Sequence, residues 1–387
     1  MPDPALDAND PRLRPVPPGQ FSWKTIPASK AEDDIVKVFM IPSSDLDSPK
    51  NILIDDPADS SRMRIPSFSF LVQHEKYGTT LLWDLGLTKN EEKFTPVLRD
   101  GALKTFRLMP GQDVISRLTE KGFNATEIDA LVLSHSHFDH IGDMDSLPTT
   151  TRVICGPGTL KAMRPGYPKS EQSEWWSKWF EEREFLELPS TDIKDKWNSA
   201  IGSKLNSKNT DMKWQTLACY DNALDWFGDG SFWIVDTPGH RVGHISALTR
   251  VTSNPDTFYS ALVVDVFLAG DTSHHQSLYL PVPIEGQPDT RTKVPFYPKS
   301  EGSKELTSLD DDPIVNTQNI GRLTRLSAEE NIMVLLAHEV EVEGILPVWP
   351  EDLGRWEVRG WKEEKERKLK ENVARAKATG TGVADLV

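Results

Sequence analysis

Hydrophobic residues fall into many short runs along this chain, not into one long period. Residues 35–41, 67–73, 79–84, 130–134, 152–155, 231–236, 245–251, 261–269 and 331–336 are apolar and of strand length. The runs at 67–73 and 79–84 flank His74-Glu75-Lys76-Tyr77-Gly78, which predicts a β-hairpin. Residues 112–121 carry apolar side chains at 114, 115 and 118 and stop at Gly122, as a helix with a C-terminal glycine does. Several of the runs end in an ionisable residue, the pattern by which a sheet presents functional groups on its loops.

The intervening stretches divide the chain. Residues 1–34 are rich in Pro and Asp without periodicity and predict an extended N-terminal arm. Residues 42–63, rich in Ser, Asp and Pro, predict a long loop. Residues 35–361 form the expected catalytic domain, with 156–230 as an insertion. There Trp175, Trp176, Trp179 and Phe180 have the spacing of one helical face. Residues 362–387 are expected to be a charged, solvated helix and tail.

Composition narrows the function. The 387 residues include 37% hydrophobic ones, enough for a substantial core, and 44 basic against 59 acidic residues give a net charge of -15. That balance argues against a nucleic-acid partner, which needs clustered Lys and Arg. Two cysteines, Cys155 and Cys219, exclude a disulfide framework. With no apolar leader and no run long enough for a membrane helix, a cytoplasmic protein without a membrane partner is expected.

The chemistry concentrates in His135-Ser136-His137-Phe138-Asp139-His140. Three imidazoles and a carboxylate directly after a buried strand are costly unless something compensates them. Metal coordination does so. In an extended segment His135 and His137 point the same way and can share one ion, while Asp139 and His140 follow a turn and can reach a second. Six residues cannot close two sites, so distant donors are required. His240, Asp271 and His338, each at the end of an apolar run, are the candidates.

HSHFDHIGD resembles the HxHxDH signature of the metallo-β-lactamase superfamily. TPGHRVGH, AGDTSHH and LLAHE resemble its later elements in the same order, and LLWDLG its early strand–Asp–Gly element. The resemblance implies an α/β fold, an αββα sandwich, here with a helical, Trp-rich insertion. It implies one ion on His135, His137 and His240, a second on Asp139, His140 and His338, and Asp271 bridging both together with a hydroxide. The expected cofactors are therefore two divalent metal ions, zinc first, with manganese, iron or cobalt as alternatives. Asp139, Asp271 and His274 are the expected catalytic residues. His274 stands where similar lactonases carry a substrate-contacting Tyr, which leaves the substrate open. Asp84 and His244 are expected to orient the ligands, and Asp143 is a further candidate. His74 and His275 are expected at the surface.

His137 argues against the di-iron oxidoreductase branch, which has Glu there. The stretch from 134 to PGYP resembles fungal lactonase-like proteins, which open lactones, lactams or cyclic carbamates. The expected function is such a ring-opening hydrolysis, with hydroxide attacking the carbonyl. A glyoxalase II-like thioesterase, or another acyclic ester hydrolase, is the alternative, and a non-catalytic binding protein a third reading. The expected partner is a small-molecule substrate, walled by Trp175, Trp176 and Trp179. A second copy in a homodimer, reached by the N-terminal arm, is also considered.

Overall fold

The structure is a computed structural model and describes residues 10–14, 16–53, 61–192, 212–252, 264–280, 294–298 and 306–379. In chain order the strands of the first half are β1 (Lys37–Pro42), β2 (Leu46–Pro49), β3 (Arg62–Ile65), β4 (Phe68–His74), β5 (Thr79–Trp83), β6 (Arg107–Leu108), β7 (Ala130–Val132), β8 (Arg152–Cys155) and β9 (Phe185–Glu187). Those of the second half are β10 (Gln215–Leu217), β11 (Tyr220–Asp225), β12 (Phe232–Asp236), β13 (Ile245–Thr252), β14 (Val264–Leu268), β15 (Tyr297–Pro298), β16 (Leu306–Thr307) and β17 (Ile332–Leu335).

Two six-stranded sheets carry the fold, ordered β1-β4-β5-β7-β8-β9 and β10-β11-β12-β13-β14-β17. In the first, β1, β4 and β5 are antiparallel and the remaining pairings parallel. In the second, only β14 and β17 run parallel. Side chains alternate across each strand and fill three layers. Val38, Met40, Phe70 and Trp83 face Leu224, Ile234, Ala247 and Val266 between the sheets. Phe39, Ile41, Leu71 and Leu131 point outward against the helix Val114–Glu120 and Trp175. Trp233, Leu248, Phe267 and Val334 point outward on the other side against the helix Pro313–Ser327. This is the αββα sandwich. Among the described residues no helix is long and apolar enough to cross a membrane.

Four segments differ from the sequence reading. The stretch 42–63 is not one loop. It contributes β2 and β3, which join β6 in a three-stranded sheet beside the sandwich. The stretch 156–230 contributes β9, β10 and β11 to the edges of both main sheets, and its residues 193–211 lie outside the described set. Residues 10–14 and 16–34 do not hang free. Leu13, Phe21, Trp23 and Ile26 pack on the outer face of the second sheet, Arg325 stacks 4.3 Å from the Trp23 ring, and Arg250 donates to the Pro27 carbonyl at 2.7 Å. The helix Trp361–Thr379 buries one face through Trp361, Lys365 and Leu369. Lys365 Nζ donates to Glu339, the neighbour of His338, and to the Val334 carbonyl at 2.6 Å.

Candidate metal centre

The strands β7, β12, β14 and β17 end on the same rim, and the loops that leave them carry His135, His240, Asp271 and His338. His137 precedes the short helix Phe138–Ile141, whose first turn brings Asp139 and His140 inward. The tertiary fold gathers seven side chains into two groups. His135, His137, His240 and Asp271 form one, and Asp139, His140 and His338 the other. Within each group the donor atoms lie within 4.8 Å of one another.

The tautomers follow from the outer contacts. His240 Nδ1–H donates to Asp310 Oδ1 at 2.8 Å, and His135 Nδ1–H to Ser134 Oγ at 3.0 Å. Both rings therefore turn an Nε2 lone pair inward. These two atoms each lie 3.0 Å from His137 Nδ1. His137 Nδ1 has at most one proton to offer to two lone pairs, so at least one of the two contacts sets lone pair against lone pair unless a cation sits among them. On the second side His140 Nδ1–H donates to Asp84 Oδ2 at 2.9 Å and His338 Nδ1–H to the Pro66 carbonyl at 2.7 Å. Their inward Nε2 atoms, with Asp271 Oδ1, are buried and have no hydrogen-bond partner. The donor set of imidazole and carboxylate thus fits divalent metal on an observation of the geometry itself.

Asp271 reaches both groups. Its Oδ2 is 3.8 Å from His135 Nε2, 3.7 Å from His240 Nε2 and 3.3 Å from His140 Nε2, while Oδ1 is 3.4 Å from His338 Nε2. His244 holds it from behind. The Asp271 backbone N–H donates to His244 Nε2 at 3.1 Å, and His244 Nδ1–H donates to the Thr237 carbonyl at 3.0 Å. Gly270 makes this approach feasible: at φ +53, a Cβ there would meet His244 Nε2 at 2.9 Å. Asp84 accepts from the Ser134 N–H at 2.7 Å and Oγ at 2.8 Å as well as from His140. Its φ of 58 is uncommon for a non-glycine residue, and these hydrogen bonds hold it there.

Burial, reinforced by neighbouring imidazoles, drives His135 and His137 well below the usual histidine range, so both are neutral and able to ligate. Burial likewise takes His244 to about 3 and His274 to about 4. His338 goes the other way. Burial pulls it down, but Asp271 and Asp139, each with a carboxylate oxygen 3.4 Å from Nε2, lift it to about 10, because this pair of carboxylates demands positive charge. A metal ion would supply the same charge.

A cavity of about 160 Å³ opens on the cluster. Its walls are Leu46, Leu53, Ile65, Leu98, Ala102, Phe106, Phe138 and Leu309, with Glu174 and the His/Asp groups. His274 lines it, with Nε2 3.6 Å from Asp271 Oδ2. Trp175, Trp176 and Trp179 do not line it, contrary to the sequence reading. They pack on the outer core, and their indole N–H groups donate to the Ser136 carbonyl, the Lys93 carbonyl and Asp145. Nor do they share one helix face, since Trp175 and Trp176 precede the helix Ser177–Glu182. His74 and His275 are buried and not at the surface. His74 bonds Asp229 at 2.9 Å, and His275 lies 3.7 Å from Glu341. Asp143 lies at the periphery, 3.3 Å from Lys93.

Sequence reasoning missed Asp310, the Pro66 carbonyl, Glu174 and the apolar wall. Asp310 stands in the acidic run Asp310-Asp311-Asp312 ahead of a proline, where a helix start was a fair signal but an imidazole partner was not. The Pro66 contact is a backbone atom and leaves no trace in the residue types.

The sequence model of the metallo-beta-lactamase superfamily matches residues 62–283. Metallo-hydrolase mfmC of Annulohypoxylon moriforme is 30% identical over 322 residues, which cover 78% of this chain and 76% of that protein. Gamma-lactamase FDB1 of Fusarium pseudograminearum (strain CS3096) is 28% identical over 325 residues, 77% of this chain and 72% of its own. A solved N-acyl homoserine lactone hydrolase, with its product N-hexanoyl-L-homoserine at the catalytic metal centre, aligns with a TM-score of 0.51. It shares 16% identity over 82% of this chain and 99% of that one, a likeness of fold alone. The ordered His/Asp cluster at the strand ends, the αββα layers and these matches together mean that the chain belongs to the metallo-beta-lactamase superfamily, as a metal-dependent hydrolase.

Proposed function

We propose that the protein opens a small cyclic ester or amide (a lactone, lactam or cyclic carbamate) at a dinuclear site, zinc being the first candidate. The observation that carries this reading is the convergence of three imidazole nitrogens at 3.0 Å beside a second group joined to it by Asp271, at the floor of a small apolar cavity. The names of the relatives, a metallo-hydrolase and a gamma-lactamase, support it. So does cavity size. At about 160 Å³, its apolar walls can seat one small ring against the cluster.

His135, His137 and His240 would hold one ion, Asp139, His140 and His338 the other, with Asp271 between them. Bound there, divalent cations lower the pKa of a water and polarise a carbonyl. The chain's own residues do the rest. The apolar walls exclude bulk water and seat the ring. His274, neutral at pH 7, would donate an Nε2–H to a carbonyl oxygen entering beside Asp271. Asp139, whose Oδ2 lies 3.4 Å from His338 Nε2, can take a proton from the attacking water and pass it to the leaving atom. Asp84, Asp310 and His244 keep the ligands in register. Residues 35–361 would constitute the catalytic unit.

The test is metal analysis of the purified protein, followed by chelation and refilling across a panel of lactones, lactams, cyclic carbamates and acyclic thioesters. Ring opening that disappears on chelation and returns with zinc or manganese is expected. Turnover of thioesters only would replace the reading with a glyoxalase II-like one, and an absence of bound metal and of turnover would leave a binding protein.

A further inference from the structure

Among the described residues, the cavity wall carries one ionisable side chain outside the His/Asp cluster, and that is Glu174. It does not sit on a free loop. Its carbonyl accepts from Thr95 Oγ at 3.3 Å, and the next residue, Trp175, is fully buried and donates its indole N–H to the Ser136 carbonyl at 3.1 Å. The loop bearing Glu174 is thus tied to the loop bearing His135 and His137. The carboxylate itself is steered by Arg241, which donates to Oε2 at 3.3 Å while its Nε donates to Ser136 Oγ at 3.2 Å. Arg241 stays behind the wall and does not line the cavity. Oε2 is therefore committed to Arg241, and Oε1 is left for a ligand. Glu174 lines the same cavity as Asp139 and Asp271, where a substrate carbonyl would meet the cluster.

An acceptor in an otherwise apolar wall has a chemical consequence. A ring whose carbonyl is flanked by N–H offers Glu174 a donor at the atom next to the scissile carbon. A lactone offers only oxygen lone pairs there, which a carboxylate repels. Resting on the ring-opening reading above, we propose that Glu174 is a specificity-determining residue that selects nitrogen rings bearing N–H, cyclic amides or carbamates, over lactones and N-alkylated rings. The Glu174 side chain is 31% exposed until a ring covers it, and an acceptor covered without a donor makes the wrong substrate costly, whereas an apolar wall alone discriminates weakly. Arg241 is the positioning residue that aims the carboxylate.

Two measurements on the full-length, metal-loaded protein decide it. The first compares kcat/KM for a five-membered lactam or cyclic carbamate carrying N–H with that for its N-methyl counterpart. The Glu174→Ala variant should lower the N–H over N-methyl ratio by about 10- to 100-fold, the worth of one hydrogen bond to a charged group. The Glu174→Gln variant keeps an acceptor oxygen and should recover part of the ratio. The second is calorimetric: a cyclic urea, which resists opening, should bind Glu174→Ala more weakly than wild type, and its N,N'-dimethyl analogue should show no such difference. A ratio that does not move, or a loss shared equally by every ring, overturns the proposal. If the wild type opens no ring, the hydrolase reading falls by itself, and the cyclic urea still tests Glu174 by binding alone.

Discussion

At the scale of single residues, each inward-facing imidazole is set by an outer partner: Asp310 for His240, Ser134 for His135, Asp84 for His140 and the Pro66 carbonyl for His338. Such partners fix which nitrogen keeps its lone pair and how the ring lies. Asp310 is a direct test, since among the described residues its side-chain hydrogen bond to the cluster is the one with His240. Asp310→Ala should weaken metal binding by about 10- to 100-fold, read by chelator competition, while the folded state persists by circular dichroism. Unchanged metal affinity would mean that the His240 ring is held by other contacts. The inward residues were legible in the sequence because three His and one Asp in six residues have no packing rationale. Their partners were not, because Asp310 is one of three consecutive aspartates and only the fold decides which of them turns inward.

Elements position what residues perform. The apolar runs were legible as strands because β-branched and aromatic residues at strand length carry the core on both faces of a covered sheet. The stretch 42–63 was not, since β2 reads Leu-Asp-Ser-Pro and alternates one buried with one half-buried position at the margin of the molecule. That marginal sheet nonetheless supplies Leu46 and Ile65 to the cavity. The tryptophans misled for a related reason. A large aromatic buries much area wherever it packs, so its presence does not say on which side of a sheet it lies. Trp175 acts as a brace for the loop of His135 and His137. Trp175→Phe keeps most of the buried ring but leaves the Ser136 carbonyl without its donor, and should cost about 1–3 kcal/mol in urea unfolding. A change of under about 0.5 kcal/mol would mean that the carbonyl finds another partner.

Over the whole molecule, the two sheets are also joined by a polar contact between His74 and Asp229. His74, at the end of β4 in the first sheet, bonds Asp229 in the turn between β11 and β12 of the second. Burial alone would raise the Asp229 carboxyl. The hydrogen bonds from His74 and Ser231 outweigh it and hold the group at about 2, below its ordinary 3.8. A carboxyl with a depressed folded pKa stabilises the fold above its unfolded value, and that contribution is lost as pH falls from about 4 through 2. The shift is worth roughly 2 kcal/mol. Acid titration of stability should therefore fall less steeply in that window for Asp229→Asn than for wild type, and equal slopes would remove Asp229 from the acid response.

What the sequence by itself determined is the chemistry and the layers. Clustered ligands are costly to bury without a metal, and strand-length apolar runs must pair, so both can be read from residue types and spacing. What only the tertiary structure decided is which faces meet. The outer partners of the imidazoles, the marginal sheet that walls the cavity, the N-terminal segment folded onto its own body and the carboxylate of Glu174 in the cavity wall come from segments distant in the chain. Their meeting depends on how two twisted sheets pack, and no local pattern of residues carries that information.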